Sequence, residues 1–154
     1  MNFELNDQQQ FFVDSARAFS LGELAPHAAR WDAEAIFPKA TLKAAGDLGF
    51  MGMYTPERAG GLGMTRLDAS LIVEELARGC TTTAAFLTIH NMATSMIGKY
   101  CQQGVIDEWC PALVSGEKLA SDSGEGVSGL RSPGFWEPAW LIGWVSSMLA
   151  LYSK

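Results

Sequence analysis

Residues 79–98 contain no Asp, Glu, Lys or Arg, a run of twenty uncharged residues. Such a run restricts the chain to two arrangements. One is a membrane-spanning helix, which needs about 20 consecutive apolar residues; the other is a helix held among other helices. Composition decides between them. Thr81, Thr82, Thr83, Thr88, His90, Asn91, Thr94 and Ser95 are interspersed with Phe86, Leu87, Ile89, Met92, Met96 and Ile97. A helix that is apolar and mildly polar on every side reads as the central, enclosed member of a water-soluble bundle.

The rest of the chain fits one domain of that kind. It has 154 residues, of which 48% are hydrophobic and 18% charged, enough apolar material for a core. A net charge of −6 gains nothing from phosphate neutralisation, which argues against nucleic acid as a partner. Cys80, Cys101 and Cys110 form no C-x-x-C pair, so neither a zinc knuckle nor a thioredoxin-like dithiol is indicated. The acidic, polar start Met1-Asn2-Phe3-Glu4-Leu5-Asn6-Asp7 resembles neither a signal peptide nor a transit peptide. The expected compartment is the cytoplasm, or the mitochondrial matrix for a processed eukaryotic protein.

Helix signals recur before and after the uncharged run. Asn6 and Gln9 form a capping-box pair, and Phe12, Ala16 and Phe19 lie on one face of the helix they open. Gly22 is expected to interrupt it. Pro26 suits the start of a second helix ending near Glu34. Pro38 opens a third, with Leu42, Ala45 and Leu48 as its apolar face and Gly49 as its stop. Residues 50–64 read as a loop. Thr65 caps a fourth helix bearing Leu67, Leu71, Val73 and Leu76, with Glu74 and Glu75 on a solvated side and Gly79 at its end. The uncharged helix follows. Ile106, Trp109 and Leu113 mark a last one, closed by Gly116. The prediction is an all-α, up-and-down bundle of about six helices without strands.

Composition breaks sharply after Ser121. Residues 122–129 are rich in Gly and Ser, three of the five tryptophans lie between Trp136 and Trp144, and residues 139–152 are mostly apolar. That last segment is too short to cross an ordinary bilayer. The tail is expected to be irregular or partly helical.

Candidate chemistry is sparse. His27 and His90 stand far apart, and His90 reads as a hydrogen-bonded core histidine. Glu74 and Glu75 point about 100° apart on a helix and do not share a site. Gly60-Gly61-Leu62-Gly63 lacks the preceding strand and following Lys-Ser/Thr of a phosphate loop, and reads as a tight turn. No metal-ligand set is apparent. Ala85, Thr88, Ile89 and Met92 fall at i, i+3, i+4 and i+7, on one helix face. By spacing alone this face is either core or one wall of a pocket for a small apolar group, with core the simpler reading.

Several segments, taken together, resemble a known family. They are Phe37-Pro38, Leu48-Gly49-Phe50-Met51-Gly52-Met53-Tyr54-Thr55-Pro56-Glu57, Gly60-Gly61-Leu62-Gly63 and Glu74-Glu75-Leu76-Ala77-Arg78-Gly79-Cys80. They are similar to the N-terminal helical domain of the acyl-CoA dehydrogenases. Thr83-Ala84-Ala85-Phe86 and Ile89-His90-Asn91-Met92 look most like the isobutyryl-CoA, or short branched-chain, branch. Trp109-Cys110-Pro111-Ala112-Leu113 and Gly116-Glu117-Lys118-Leu119-Ala120-Ser121 extend the likeness.

The resemblance implies a three-part enzyme: this helical domain, a middle β-domain and a C-terminal helical bundle. It implies FAD as cofactor, a glutamate base that removes the α-proton of an acyl-CoA substrate, and electron-transfer flavoprotein as electron acceptor. It also implies that Ala85, Thr88, Ile89 and Met92 line the acyl end of the pocket, where large neutral side chains would favour a short or branched acyl group. After Ser121 the chain departs from the family pattern, reading Asp122-Ser123-Gly124-Glu125-Gly126 where a flavin-contacting strand is expected. Residues 1–121 are therefore expected to be the helical domain, and 122–154 an unassigned tail of frameshifted or truncated origin. No catalytic or flavin-binding residue is assigned, and the chain alone is expected to bind no FAD and to be inactive. A lone copy would expose apolar surface and is open to self-association. The contrasting expectation is a non-enzymatic helical interaction module whose apolar 139–152 segment binds a partner or a membrane surface.

Overall fold

The computed structural model describes residues 4–120. The expectations for the tail, including a partner or membrane role for residues 139–152, lie outside the described residues. Within them the fold is wholly helical, with α1 (Asp7–Phe19), α2 (Ala25–Ala33), α3 (Lys39–Asp47), α4 (Arg66–Gly79), α5 (Thr81–Tyr100) and α6 (Gln103–Val114). The expected capping box is present: Asn6 Oδ1 accepts from the Gln9 amide at 2.8 Å and Gln9 Oε1 from the Asn6 amide at 3.1 Å.

Gly22 does not interrupt the first helix. A π-helical turn, Ser20–Leu24, joins α1 to α2, so the three form one continuous helical rod. Pro26 supplies the reason. Proline lacks an N–H and its ring collides with the carbonyl four residues back. A wider turn just before it relieves that conflict, and the Ala25 amide reaches back to Ser20 O.

The rod's end and the next helix stop by the same geometry. Ala35 takes φ 51° and Gly49 takes φ 82°. The Ile36 amide bonds Trp31 O and the Phe50 amide bonds Ala45 O, both at 2.9 Å. These are Schellman closures. Gly49 is the expected stop, but it lies just past the helix and leaves Leu48 half-exposed rather than on the apolar face.

α1 packs along α4, α4 along α5, and α5 along α6. Two apolar clusters result. One joins Ala16, Phe19, Leu42, Ile72 and Leu76 to Ala84 and Leu87 of α5. The other joins Ala93 and Ile97 of α5 to Ile106, Cys110 and Leu113 of α6. The uncharged helix belongs to both and is the centre of the fold.

Two expected faces are rotated. In α4 the buried residues are Ala69, Ile72, Glu75 and Leu76, while Leu67 is exposed. Glu75 is not on a solvated side. Arg17 of α1 grips it through Nε–H to Oε2 at 3.1 Å and Nη2–H to Oε1 at 3.0 Å. That paired guanidinium makes burial of the carboxylate tolerable and holds its pKa below the usual glutamate range. In α1, Val13 is buried with Ala16 and Phe19, and Phe12 is only half-buried.

Residues 50–64 are not a surface loop. Phe50, Met51, Met53, Thr55 and Ala59 are buried, and Glu57–Ala59 form a 3-10 turn. The segment is a strap laid across α5.

Candidate functional site

The site is built on α5, which has two unlike faces. On the inner face Thr83, Ala84, Leu87, His90, Asn91, Thr94 and Gly98 are buried. On the outer face Ala85 is exposed, Thr88 is half-buried, and Ile89 and Met92 are 39% and 42% exposed. The structure thus brings all four sequence-predicted residues onto one face. It overturns the expectation that α5 is enclosed all round, and the simpler reading of the four as core falls with it.

Buried polar groups set this rotation. Asn91 donates to Phe50 O at 2.8 Å and to Leu87 O at 2.9 Å, and its Oδ1 accepts from the Met53 amide at 2.7 Å. The side chain is fully used, and it ties the strap to α5. His90 lies beside it with no exposed surface. Its Nδ1 accepts from the Ala120 amide at 3.0 Å, and its Nε2 is 3.1 Å from Leu113 O. A carbonyl can only accept and an amide N–H can only donate. The ring is therefore the neutral tautomer protonated at Nε2. Burial pushes its pKa down to about 4.

With His90 and Asn91 turned inward, Ile89 and Met92 must face outward. The resulting strip is neutral. The Thr88 hydroxyl donates to Ala85 O at 2.7 Å, so it demands no polar partner from whatever covers the strip. The helix end is held from below: Arg58 Nη2 donates to Gly98 O at 2.7 Å, satisfying a carbonyl where the helix dipole is negative.

Such a wall can bury an apolar group; it cannot do acid–base chemistry. His90 has both ring nitrogens engaged, and Glu75 is clamped by Arg17. The described residues contain no group of three His, Cys, Asp or Glu that could hold a metal. Nor do they fit a flavin pyrophosphate at the glycine-rich turn. The amides of Gly60, Gly61, Leu62 and Gly63 all bond carbonyls of the strap itself, so none is free to cradle phosphate. The turn is structural, as expected. A separate cleft of about 470 Å³ lies between Gly46, Arg58, Ile106, Pro111 and Ser115; none of the four strip residues lines it. No described helix is long and apolar enough to cross a membrane.

Asn91 and the Arg17–Glu75 pair escaped the sequence reading. Their partners lie 38 and 58 positions away, beyond any local pattern. The available hint was chemical: an amide in a charge-free helix needs internal partners.

A family model for the N-terminal domain of acyl-CoA dehydrogenases matches residues 6–117. The chain belongs to the acyl-CoA dehydrogenase family. It is 42% identical over 117 residues to the mitochondrial isobutyryl-CoA dehydrogenase of Bos taurus, covering 76% of this chain and 28% of that one. It is 30% identical over 168 residues to the mitochondrial short-chain specific acyl-CoA dehydrogenase of Bos taurus, covering 98% of this chain and 41% of that one. With gaps, this second alignment extends into residues 122–154. The bundle also superposes on a glutaryl-coenzyme A dehydrogenase solved with glutaryl-CoA, at a TM-score of 0.74 and 28% identity, covering 86% of this chain and 35% of that one. The chain thus spans less than half the length of these relatives and corresponds to their N-terminal helical part. Family enzymes act on acyl-CoA and depend on FAD.

Proposed function

We propose that this chain supplies the N-terminal helical domain, residues 1–121, of a FAD-dependent dehydrogenase of short or branched acyl-CoA. In this reading the outer strip of α5 forms a wall around the acyl group. The observation that carries it is the strip itself: Ala85, Thr88, Ile89 and Met92 stand on the open side of a helix whose other side is buried. An apolar strip exposed on the central helix of a domain calls for something apolar to cover it.

The strip's role would be to bind and exclude water. Ile89 and Met92 occupy volume beside the acyl chain, which shortens the space available and favours small or branched groups. Thr88 has committed its hydroxyl proton to Ala85 O, so it offers the covering group no donor and only an acceptor oxygen. FAD, when bound in the whole enzyme, supplies the hydride acceptor; the described residues contribute neither its phosphate cradle nor the base. Electron-transfer flavoprotein would take the electrons, and a mitochondrial matrix location would follow the relatives' names.

A chimera tests the wall. Residues 1–117 of this chain would replace the aligned segment of bovine isobutyryl-CoA dehydrogenase, with bound flavin reporting assembly. Ile89→Ala and Met92→Ala should each raise kcat/KM for hexanoyl-CoA relative to isobutyryl-CoA by about 10-fold or more, the scale of a one- or two-methylene change in an apolar pocket. An unchanged ratio in a flavin-loaded chimera would sink the reading. The 154-residue chain expressed alone should be colourless and should not reduce a dye with isobutyryl-CoA; stoichiometric FAD would overturn that part.

A further inference from the structure

We propose that His90 is a positioning residue that ties the α5 strip to the end of α6 and to the 115–120 segment that follows it. The ring spans three pieces of backbone. It belongs to α5 between Ile89 and Asn91, it meets Leu113 O at the end of α6, and it receives the amide of Ala120. Ala120 is itself buried and is the last described residue. One imidazole therefore sets both the rotation of α5 and the position of the 115–120 segment against it.

The geometry allows only one proton arrangement. Nδ1 must be bare to accept the Ala120 N–H, and Nε2 must carry the proton to donate to Leu113 O. Thr94 Oγ1 lies 3.3 Å from Nε2, and its hydroxyl can share that proton. Nothing in this arrangement leaves a lone pair for catalysis, so the residue acts through what it holds. Among the described residues its hydrogen-bonding neighbours are the two backbone groups and Thr94, and burial and the two backbone bonds are what act on its charge. Phe86 stacks over it with centroids 6.1 Å apart.

The tie differs from ordinary core packing because it has a polarity. Asparagine places its Oδ1 near the position of a histidine Nδ1, and glutamine places its amide nearer that of Nε2. His90→Asn should therefore keep an acceptor for Ala120 N–H, and His90→Gln should keep the donor to Leu113 O and lose that acceptor. A purely space-filling histidine would make the two variants alike.

The test is NMR of the 154-residue chain. In the unsubstituted protein the His90 nitrogens should show a protonated Nε2 and a bare Nδ1 from pH 7 down to pH 5. The Ala120 amide should exchange slowly. In His90→Gln its exchange should accelerate about 10-fold or more relative to a core amide such as that of Leu87, the scale of losing one buried hydrogen bond. In His90→Asn that ratio should stay within about 3-fold of the unsubstituted value, which is small beside such a loss. A protonated Nδ1, a ring that titrates near pH 6.5, or equal effects of the two variants would overturn the proposal. Should both variants fail to fold, the tautomer of the unsubstituted protein still decides. The inference draws on the acyl-wall reading only in calling the strip a pocket wall. That reading fails separately, through an unchanged acyl preference in the chimera while Ala120 stays protected.

Discussion

At the residue scale, buried polar side chains fix the orientation of α5, and one of them makes stability depend on pH. His90 has a pKa near 6.5 when the chain is unfolded and about 4 when it is folded. Between those values the unfolded chain holds more protons than the folded one. Stability therefore rises with pH across that window and is lost as pH falls from 6.5 to 4. The full displacement corresponds to about 3 kcal/mol, at roughly 1.36 kcal/mol per pH unit. Asp68 and Glu75 also have lowered pKa values, through Gln9 and Thr65 for Asp68 and through Arg17 for Glu75. Their contributions begin to be lost as pH falls through the ordinary carboxylate range, from about a unit above the ordinary value of 4.5 for Glu75, so the slope between about pH 5.5 and 6.5 belongs to His90. Urea unfolding at pH 4.5, 5.5, 6.5 and 7.5 should show that slope, and His90→Asn should flatten it. A slope that persists in the variant would mean another group titrates there. The sequence showed His90 as a core histidine because it sits in a charge-free run. It could not show the partners, Leu113 and Ala120, because they are backbone atoms supplied by distant segments.

At the element scale, local signals announced helix starts and stops well, and failed where two elements meet. The Asn6 box, the Thr65 cap and the Gly49 and Gly116 stops are set by residues within one turn of each other, so they were legible. Gly22 was misread because a glycine before a proline looks like a break; the π turn that accommodates Pro26 depends on what packs against it. Gly79 is the partner. A Cβ there would stand 2.7 Å from Ser20 O and 3.0 Å from the Leu24 Cβ, so the end of α4 touches the π turn with no room for a side chain. Backbone on one side of that contact cannot move aside as a side-chain tip would. Gly79→Ala should therefore destabilise the chain by about 2 kcal/mol, as overpacking does, despite alanine's better helix propensity. Gly104 has nothing near it, and Gly104→Ala should instead be neutral or stabilising by up to about 1 kcal/mol. Chemical denaturation of the two variants side by side separates close packing from propensity. Equal effects would remove the argument for a helix–turn contact at Gly79.

At the scale of the whole molecule, the question is what the open side of α5 does in a chain this short. The periodicity of Ala85, Thr88, Ile89 and Met92 was visible in the sequence, but not its sign. Apolar spacing looks the same whether a face is covered by its own domain or left for something else, and only the inward turn of His90 and Asn91 settled that this one is open. Ile36, Phe37, Leu48 and Leu62 are further large apolar residues left exposed in the described part of the bundle. In solution such surface is costly, at roughly 25 cal/mol per Å², and a second copy is the nearest apolar cover. We therefore expect the 154-residue chain to associate with itself as its concentration rises. Sedimentation velocity at two concentrations a hundredfold apart should show the mass increase. Ile89→Ser combined with Met92→Ser should weaken the association by about 10-fold or more, since covering even part of two large side chains contributes over 1 kcal/mol. The same pair should lower the thermal midpoint somewhat, because more than half of each side chain is covered by its own bundle, so association is compared at a temperature well below both midpoints. A chain that stays monomeric throughout would show that the strip is covered from within the chain, and a dimer indifferent to the two serines would place the contact elsewhere.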